Sequence, residues 1–247
     1  MEGLISISVV SHGQFGLVKN LLDDLEKYCS KLNFELILTL NLPEQVMLDN
    51  YRFPVHVLSN QHVKGFGENH NAAFAVAKGD CFCVVNPDVR LSNNVFDALL
   101  PFHIRNDAGL TAPVVLSSSG ELEDSARRFP SPLSIALKVL GFSRGVERSS
   151  AELINKPDWV AGMFMLFKST EYKALAGFDE RYFLYYEDVD ICARLTLKGR
   201  SVLVCPTANV IHDAQRSSHK SFKYFRWHLS SMLRFFFSFN YLRLLCR

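Results

Sequence analysis

The residues with the most chemical content in this 247-residue chain are carboxylates and a histidine that directly follow apolar runs. Asn86-Pro87-Asp88 follows Cys81-Phe82-Cys83-Val84-Val85, which predicts Asp88 at the carboxyl end of a buried strand. There, one carboxylate and the oxygens of a diphosphate can share a hard divalent cation. Asn, Pro and Asp are also ordinary turn formers, and the tripeptide alone does not separate the two uses. His212 ends the apolar run Val202 to Ile211 and is expected at another strand end, where it could join Asp88 on a Mn2+-like ion. A lone histidine serves equally as a hydrogen-bonded structural residue.

Glu187-Asp188 lies in Phe178-Asp179-Glu180-Arg181-Tyr182-Phe183-Leu184-Tyr185-Tyr186-Glu187-Asp188-Val189-Asp190, at the expected start of a helix. A helix N-terminus favours the ionised carboxylate, whereas neighbouring aromatics desolvate it and restore its basicity. Such a group suits removal of a proton from a hydroxyl. The same acids could simply cap the helix, with Asp190 and Arg194 as a surface pair four residues apart.

Two further segments belong to this set. In Asn60-Gln61-His62-Val63-Lys64-Gly65-Phe66-Gly67-Glu68-Asn69-His70-Asn71 the glycines permit tight backbone turns, and Asn69 is expected to cap the next helix near a phosphate. A plain loop with an N-cap would use the same residues. In Asp158-Trp159-Val160-Ala161-Gly162-Met163, Trp159 offers a ring face for sugar stacking and Gly162 allows backbone to approach a ligand. Simple burial of Trp159 in the core is the alternative.

The elements that must position these groups alternate. Apolar runs at Leu4 to Val10, Glu35 to Leu40, Val55 to Ser59 and Cys81 to Val85 read as strands. Helical patterns separate them, one with Leu17, Leu21, Leu25 and Tyr28 on one face and one from about Asn69 to Lys78. Asp158 to Phe167 and Ser201 to Cys205 read as later strands, and Glu187 to Lys198 as a helix stopped by Gly199. Alternation with runs apolar on both faces predicts an α/β fold: a mostly parallel central sheet flanked by helices, with ligands beyond the carboxyl strand ends. Turn signals between Ser117 and Lys156 predict a mobile or acceptor-facing insertion, with a short helix from Leu133 to Leu140.

Composition excludes several classes. With 48% hydrophobic and 21% charged residues the chain is globular, and a net charge of +2 gives no basis for nucleic-acid binding. Six cysteines without CxxC pairs, and a first apolar run too short for a signal peptide, predict a reducing cytoplasm. Arg234 and Arg243 interrupt the most apolar stretch before it reaches the roughly 18 residues of a membrane span.

Taken in order, Gly65-Phe66-Gly67, Asn86-Pro87-Asp88, Asp158 to Gly162, Phe178-Asp179-Glu180 and Glu187-Asp188-Val189-Asp190 carry a resemblance over nearly the whole chain. The chain resembles the inverting GT-A-fold glycosyltransferases of family 2, in particular their rhamnosyltransferase-like branch. The resemblance implies a GT-A domain at residues 1–219, with Asn86-Pro87-Asp88 as the Asp-x-Asp-like motif and Asp88 on Mg2+ or Mn2+ bridging the donor diphosphate. It implies Asp188 as catalytic base beside Glu187, and His212 completing the metal shell. Donor contacts then fall on Ser11, Asn41, Gly65, Phe66, Asn69, Asn86 and Asp88, and sugar or acceptor contacts on Trp159 and Gly162. The resemblance further implies a dTDP- or UDP-linked donor, with rhamnose as its sugar, and as acceptor a saccharide or lipid-linked glycan of a bacterial surface polysaccharide such as O-antigen.

Two positions depart from the family pattern. Leu38-Thr39-Leu40-Asn41-Leu42-Pro43 stands where relatives carry an aspartate and asparagine for the donor base, and Asn86 is neutral where a second carboxylate would strengthen metal binding. These departures leave room for a catalytically silent nucleotide-sugar or glycan-binding protein. A nucleotidyltransferase would need a basic glycine-rich loop after the first strand, which Ser11-His12-Gly13-Gln14-Phe15 lacks. Residues 220–247 combine basic and aromatic residues in a helical segment that could lie on the inner face of the plasma membrane, pack on the domain, or form a homodimer contact.

Overall fold

The computed structural model describes residues 3–132, 135, 155–212 and 222–246. Ten strands are assigned among these residues: β1 Ile5–Ser11, β2 Phe34–Leu40, β3 Val55–Ser59, β4 Cys81–Val85, β5 Val89–Arg90, β6 Leu110–Leu116, β7 Ala126–Arg127, β8 Trp159–Val160, β9 Phe164–Lys168 and β10 Val202–His212. The helices are α1 Phe15–Tyr28, α2 Phe66–Val76, α3 Phe96–Arg105, α4 Ser169–Ala174, α5 Glu187–Leu197, α6 Phe222–Phe236 and α7 Phe239–Leu245. The expected helix at Leu133 to Leu140 lies outside the described residues, apart from position 135.

Eight strands form one sheet in the order β3-β2-β1-β4-β9-β6-β10-β5. β1 pairs in parallel with β2 and β4, β2 with β3, and β6 with β10. β9 is antiparallel to both neighbours, so β6 and β10 run the same way as β4, and only β9 and β5 are reversed. The mostly parallel sheet is therefore as expected. Its consequence is geometric: the carboxyl ends of β1, β2, β4, β6 and β10, and the amino end of β9, lie along one edge.

The strands alternate their side chains between two cores, as a sheet buried on both faces requires. Ile5, Ile7, Val9, Cys83, Val85, Phe164 and Leu166 face one way and meet Val18, Leu21, Leu22 and Leu25 of α1 with Phe96 and Leu99 of α3. Phe82, Val84, Met165 and Phe167 face the other way, onto Ala73, Tyr172, Ile191 and Leu195. On α1 the buried stripe is Val18, Leu21, Leu22 and Leu25, with Leu17 and Tyr28 half-buried at its margin. The polar residues on β1 are matched: Ser6 Oγ donates to Glu35 Oε1 at 2.6 Å, and Ser8 Oγ bonds His70 Nδ1 at 2.8 Å.

Three local expectations change. The run Asp158 to Phe167 is two strands, because the chain turns at Ala161-Gly162-Met163 between β8 and β9. β10 is a single strand through His212, with a register shift between Cys205 and Asn209 that absorbs the polar stretch within it. The Asp190 and Arg194 pair, 2.7 Å apart, is buried rather than a surface contact, because Asn240 of α7 covers it and donates to Asp190 Oδ1 at 3.0 Å. Tyr182, Tyr186, Val189 and Ala193 form a third apolar cluster with Phe235 and Tyr241, so α6 and α7 pack on the segment that begins α5.

Candidate functional site

The base-side geometry starts from unusual backbone. Tyr185 and Tyr186 have φ of 70° and 67°, left-handed values that non-glycine residues seldom adopt, and they immediately precede α5. This bend sets Glu187 and Asp188 in the first helical turn. Asp188 Oδ1 accepts from Val189 N at 2.8 Å and Oδ2 accepts from Gly162 N at 3.1 Å. Desolvation raises the Asp188 pKa, while these two N–H donors and the charge of Arg127 act against the rise. Burial first, then the neighbouring Asp188 charge, hold the Glu187 carboxyl well above the usual carboxylate range. Glu187 Oε2 is buried without a hydrogen-bond partner.

The glycine loop is a joint between this segment and the sheet. A Cβ on Gly65 would meet the carbonyl oxygen of Phe183 at 2.6 Å, and one on Gly67 would meet Phe178 Cβ at 2.6 Å. Phe66 N donates to the same Phe183 carbonyl at 2.9 Å. Gly162 lies under the Phe66 ring, where an added Cβ would stand 3.0 Å from it. The glycines thus permit close approach of protein to protein. α2 begins at Phe66 and has no side-chain cap, so the expected cap at Asn69 is not formed. Asn69 lies inside the first turn instead, and its amide donates to Gly65 O at 2.8 Å.

Asn69 and Asn41 belong to one buried network. Asn60 Nδ2 donates to Asn41 Oδ1 at 2.9 Å and to Asn69 Oδ1 at 2.6 Å, while Asn41 Nδ2 donates to Lys64 O at 2.9 Å. Asn41 therefore fastens the end of β2 to the glycine loop. Ser11, at the end of β1, accepts from Gln14 N through its Oγ at 3.2 Å and shapes the turn into α1.

On the metal side, β5 folds back along β10 and pairs Val89 with His212. That pairing brings His212 Nε2 to 3.2 Å from Asp88 Oδ2. His212 Nδ1 donates to Glu123 Oε2 at 2.8 Å. Burial lowers the His212 pKa, but the hydrogen bonds and charges of Asp88 and Glu123 outweigh it and raise it to about 8. Asp88 Oδ1 is buried and has no partner, an open acceptor suited to a cation. No cluster of three or more His, Cys, Asp or Glu side chains of metal-binding type is present among the described residues. Asp88 and His212 are a two-residue set, which fits an ion that also takes phosphate oxygens and water.

The two halves meet at the turn between β8 and β9. Asn86 N donates to Met163 O at 2.9 Å, and the adjacent Gly162 N holds Asp188. Trp159 is half-buried, donates through Nε1 to Arg128 O at 2.9 Å, and carries the Arg127 guanidinium over its ring at 5.3 Å. Glu123 and Arg127 were absent from the residues singled out in sequence. They fall in the charged stretch Glu121 to Arg128, where no periodicity distinguishes one charge from the next. Long-range pairing brings them to the site: the Leu116–Leu122 bridge, the Glu123 N–H bond to Val115 O and the β7–β8 ribbon.

Comparison with known proteins gives a consistent picture. Residues 44–230 match the family described as Glycosyltransferase like family 2. Rhamnosyltransferase WbbL of Escherichia coli (strain K12) is 28% identical over 246 residues, covering 94% of this chain and 92% of WbbL. The N-acetylglucosaminyl-diphospho-decaprenol L-rhamnosyltransferase of Mycobacterium tuberculosis (strain CDC 1551 / Oshkosh) is 31% identical over 169 residues, 64% of this chain and 55% of that protein. Among solved structures, GalNAc-T7 with UDP, GalNAc and Mn2+ superposes with a TM-score of 0.66 at 14% identity, over 87% of this chain and 44% of the other. S. aureus TarS 1-349 with UDP-GlcNAc superposes at 0.63 and 14% identity, over 95% of this chain and 67% of TarS 1-349. These likenesses are of fold, the GT-A arrangement expected from the sequence.

Proposed function

The chain belongs to glycosyltransferase-like family 2, and from that premise we propose that it moves a sugar from a nucleotide-sugar donor to a saccharide hydroxyl by a single inverting displacement. The family and its rhamnosyltransferase relatives support a glycosyltransferase of polysaccharide synthesis. The observation that carries the mechanism is the held carboxylate of Asp188. Two backbone N–H groups orient it and desolvation keeps it basic, which is what a base facing an acceptor hydroxyl needs. In the reaction Asp188 takes the acceptor proton as that oxygen attacks the anomeric carbon, and the donor's carbon–phosphate-oxygen bond breaks. Burial first, then the charge of Asp188, push the Glu187 carboxyl well above the usual carboxylate range, which disfavours a second negative charge beside the base.

Asp88 and His212 are the residues that would hold Mg2+ or Mn2+. When bound, such an ion supplies charge neutralisation for the departing nucleoside diphosphate. Glu123 fixes the His212 ring so that Nε2 faces Asp88. Asn86, neutral and anchored through its N–H to Met163, orients the turn that presents Asp88. Arg127, lying over Trp159, places a positive charge near the base and suits an anionic substrate group.

For the substrates we propose a dTDP- or UDP-linked donor, with rhamnose as its sugar, and a lipid-linked glycan acceptor of a surface polysaccharide such as O-antigen. The names of the two rhamnosyltransferases above support this choice, one of them acting on a diphospho-decaprenol acceptor. Ser11, Asn41, Gly65, Phe66 and Asn69 shape the donor side and Trp159 and Gly162 the acceptor side. The decisive experiment is product analysis: incubation with dTDP-rhamnose, Mn2+ and a polyprenyl-diphosphate-linked N-acetylglucosamine should yield the inverted disaccharide. Release of no nucleoside diphosphate with any donor would refute transfer.

A further inference from the structure

Helix α6 has two apolar sides. Toward the protein it buries Phe235 and Ser231, stacks Trp227 on Phe183 at 4.5 Å, and sets His228 against Tyr185 and Tyr186. Ser231 Oγ donates to Leu184 O at 2.9 Å and fixes this side inward. On the opposite side Phe222, Phe225, Leu229 and Leu233 recur at three- and four-residue spacing, the period of one helix face. Phe222 is 74% exposed and Phe225 62%. Exposed apolar side chains follow at Phe237 (82%), between the helices and beside Leu233, and at Phe239 (72%), Leu242 and Leu245 of α7. A helix that ends its surroundings in water carries polar residues there, and a continuous apolar row marks an interaction face.

Charge identifies the partner. All 25 acidic residues of the chain lie at or before Asp213, whereas seven of its 27 basic residues lie after it. At 3.6 residues per turn, Lys223, Arg226 and Arg234 run along one border of the apolar row. Beside it a cleft of about 590 Å³ is lined by Arg234 together with Leu233, Phe237, Phe239 and Asn240, and by Arg181, whose guanidinium is paired with Asp179 at 2.6 Å. A second copy of the chain would place this acid-free basic border against itself across a two-fold axis. A bilayer with anionic headgroups meets both features: the aromatics enter the interface and the basic border meets the phosphates. No helix among the described residues is long and apolar enough to cross a membrane, which leaves α6 and α7 lying along it.

We propose that the outward faces of α6 and α7 dock the protein on a membrane containing anionic lipids, with Lys223, Arg226 and Arg234 along their border meeting the lipid phosphates. Because α6 packs on the segment from Tyr182 to Tyr186, docking would bring the bend that precedes Asp188 close to the bilayer surface. Such an arrangement suits an acceptor whose own anchor is in the lipid. The surface stands apart from the transfer chemistry, so vesicle binding and sugar transfer can fail separately.

The test is co-sedimentation of the full chain with vesicles of phosphatidylcholine alone and of phosphatidylcholine with phosphatidylglycerol. The chain should partition onto the anionic vesicles, and the partition should fall with added salt. Phe225→Ser with Phe237→Ser, and separately Lys223→Glu with Arg226→Glu, should each reduce it about tenfold. Near-ultraviolet circular dichroism should match the parent, since all four side chains lie outside the core. Failure of the parent chain to bind anionic vesicles overturns the proposal, as does binding by both double variants equal to that of the parent. A lipid-free dimer that Phe225→Ser with Phe237→Ser disperses, together with no vesicle binding, would assign the face to a second copy.

Discussion

His212 stands 3.2 Å from Asp88 through Nε2, a contact made possible because β5 returns antiparallel to β10. The ring cannot turn away, since its other nitrogen is committed to Glu123 at 2.8 Å. The pair therefore presents a carboxylate and an imidazole to the same point while Glu123 sets which imidazole nitrogen does so.

That arrangement predicts a graded loss of metal binding. Glu123→Ala should weaken Mn2+ binding about 10- to 100-fold, the usual effect of removing a residue that orients a ligating histidine. Glu123→Gln keeps an acceptor for the Nδ1 hydrogen and should fall between. His212→Ala should lose at least as much as Glu123→Ala. Titration of free Mn2+ by electron paramagnetic resonance reads this without turnover. Unchanged binding in His212→Ala would remove the histidine from the site.

Asp188→Asn keeps the shape of the side chain but removes its basicity and leaves one acceptor oxygen for the N–H groups of Gly162 and Val189. Turnover should fall about 10²- to 10⁴-fold, the range for a positioned base, while donor binding by thermal shift stays near that of the parent. Normal turnover would exclude Asp188 as the base. A joint loss of donor binding would instead give it a structural part.

The glycine joint predicts an order of damage. Gly65→Ala drives a Cβ to 2.6 Å from the Phe183 carbonyl, which is backbone and cannot rotate aside. Gly162→Ala meets the Phe66 ring at 3.0 Å, which can give by a few tenths of an ångström. Gly65→Ala should cost about 1–3 kcal/mol in urea unfolding, as overpacking commonly does, and Gly162→Ala less. Gly162→Ala should nevertheless slow turnover, because Phe66 and Asp188 both rest on that residue.

Stability should fall on mild acidification. Burial lowers the pKa of His70 to about 3, and burial with the Lys168 charge lowers that of His103 to about 4. An unfolded histidine titrates near 6.5, so between about pH 6.5 and 4 the unfolded chain binds more protons than the folded one. Unfolding free energy then decreases as pH falls, by up to about 1.4 kcal/mol per pH unit for each histidine. The raised carboxyl of Glu187 acts in the opposite sense and shallows the slope. Urea titrations across this range should be flatter for His103→Gln, and an unchanged slope would show that His103 titrates normally in the fold.

Much of the architecture was legible because it follows from periodicity. β1, β2, β3 and β4 appear at the four strand-like runs of the sequence, with α1 joining β1 to β2 and α2 joining β3 to β4, while β2 and β3 run parallel with no helix between them. The places that differ share a cause. Gly162 breaks Asp158 to Phe167 because β9 must reverse to pair between β4 and β6, a long-range demand invisible in the local run. Asn69 looks like a cap by its type, yet Gly65 holds the N-cap position and the asparagine network claims the side chain. Asp190 and Arg194 looked like a surface pair because nothing local to α5 shows that α7 covers it.

The sequence by itself determined which residue types stand at strand ends and helix starts: Asp88 after Val85, His212 after Ile211, and Glu187 with Asp188 behind a run of aromatics. Those placements depend on local hydrophobic period, which a chain carries before it folds. Tertiary structure alone decided the strand pairing that sets Asp88 against His212 at 3.2 Å, that Glu123 holds the far side of the ring, and that the Gly162 N–H orients Asp188. Each of these contacts joins residues from different elements, 26 positions apart for Gly162 and Asp188 and 89 for Glu123 and His212. Their distances are set by strand order and by where α5 packs, and no local pattern encodes either.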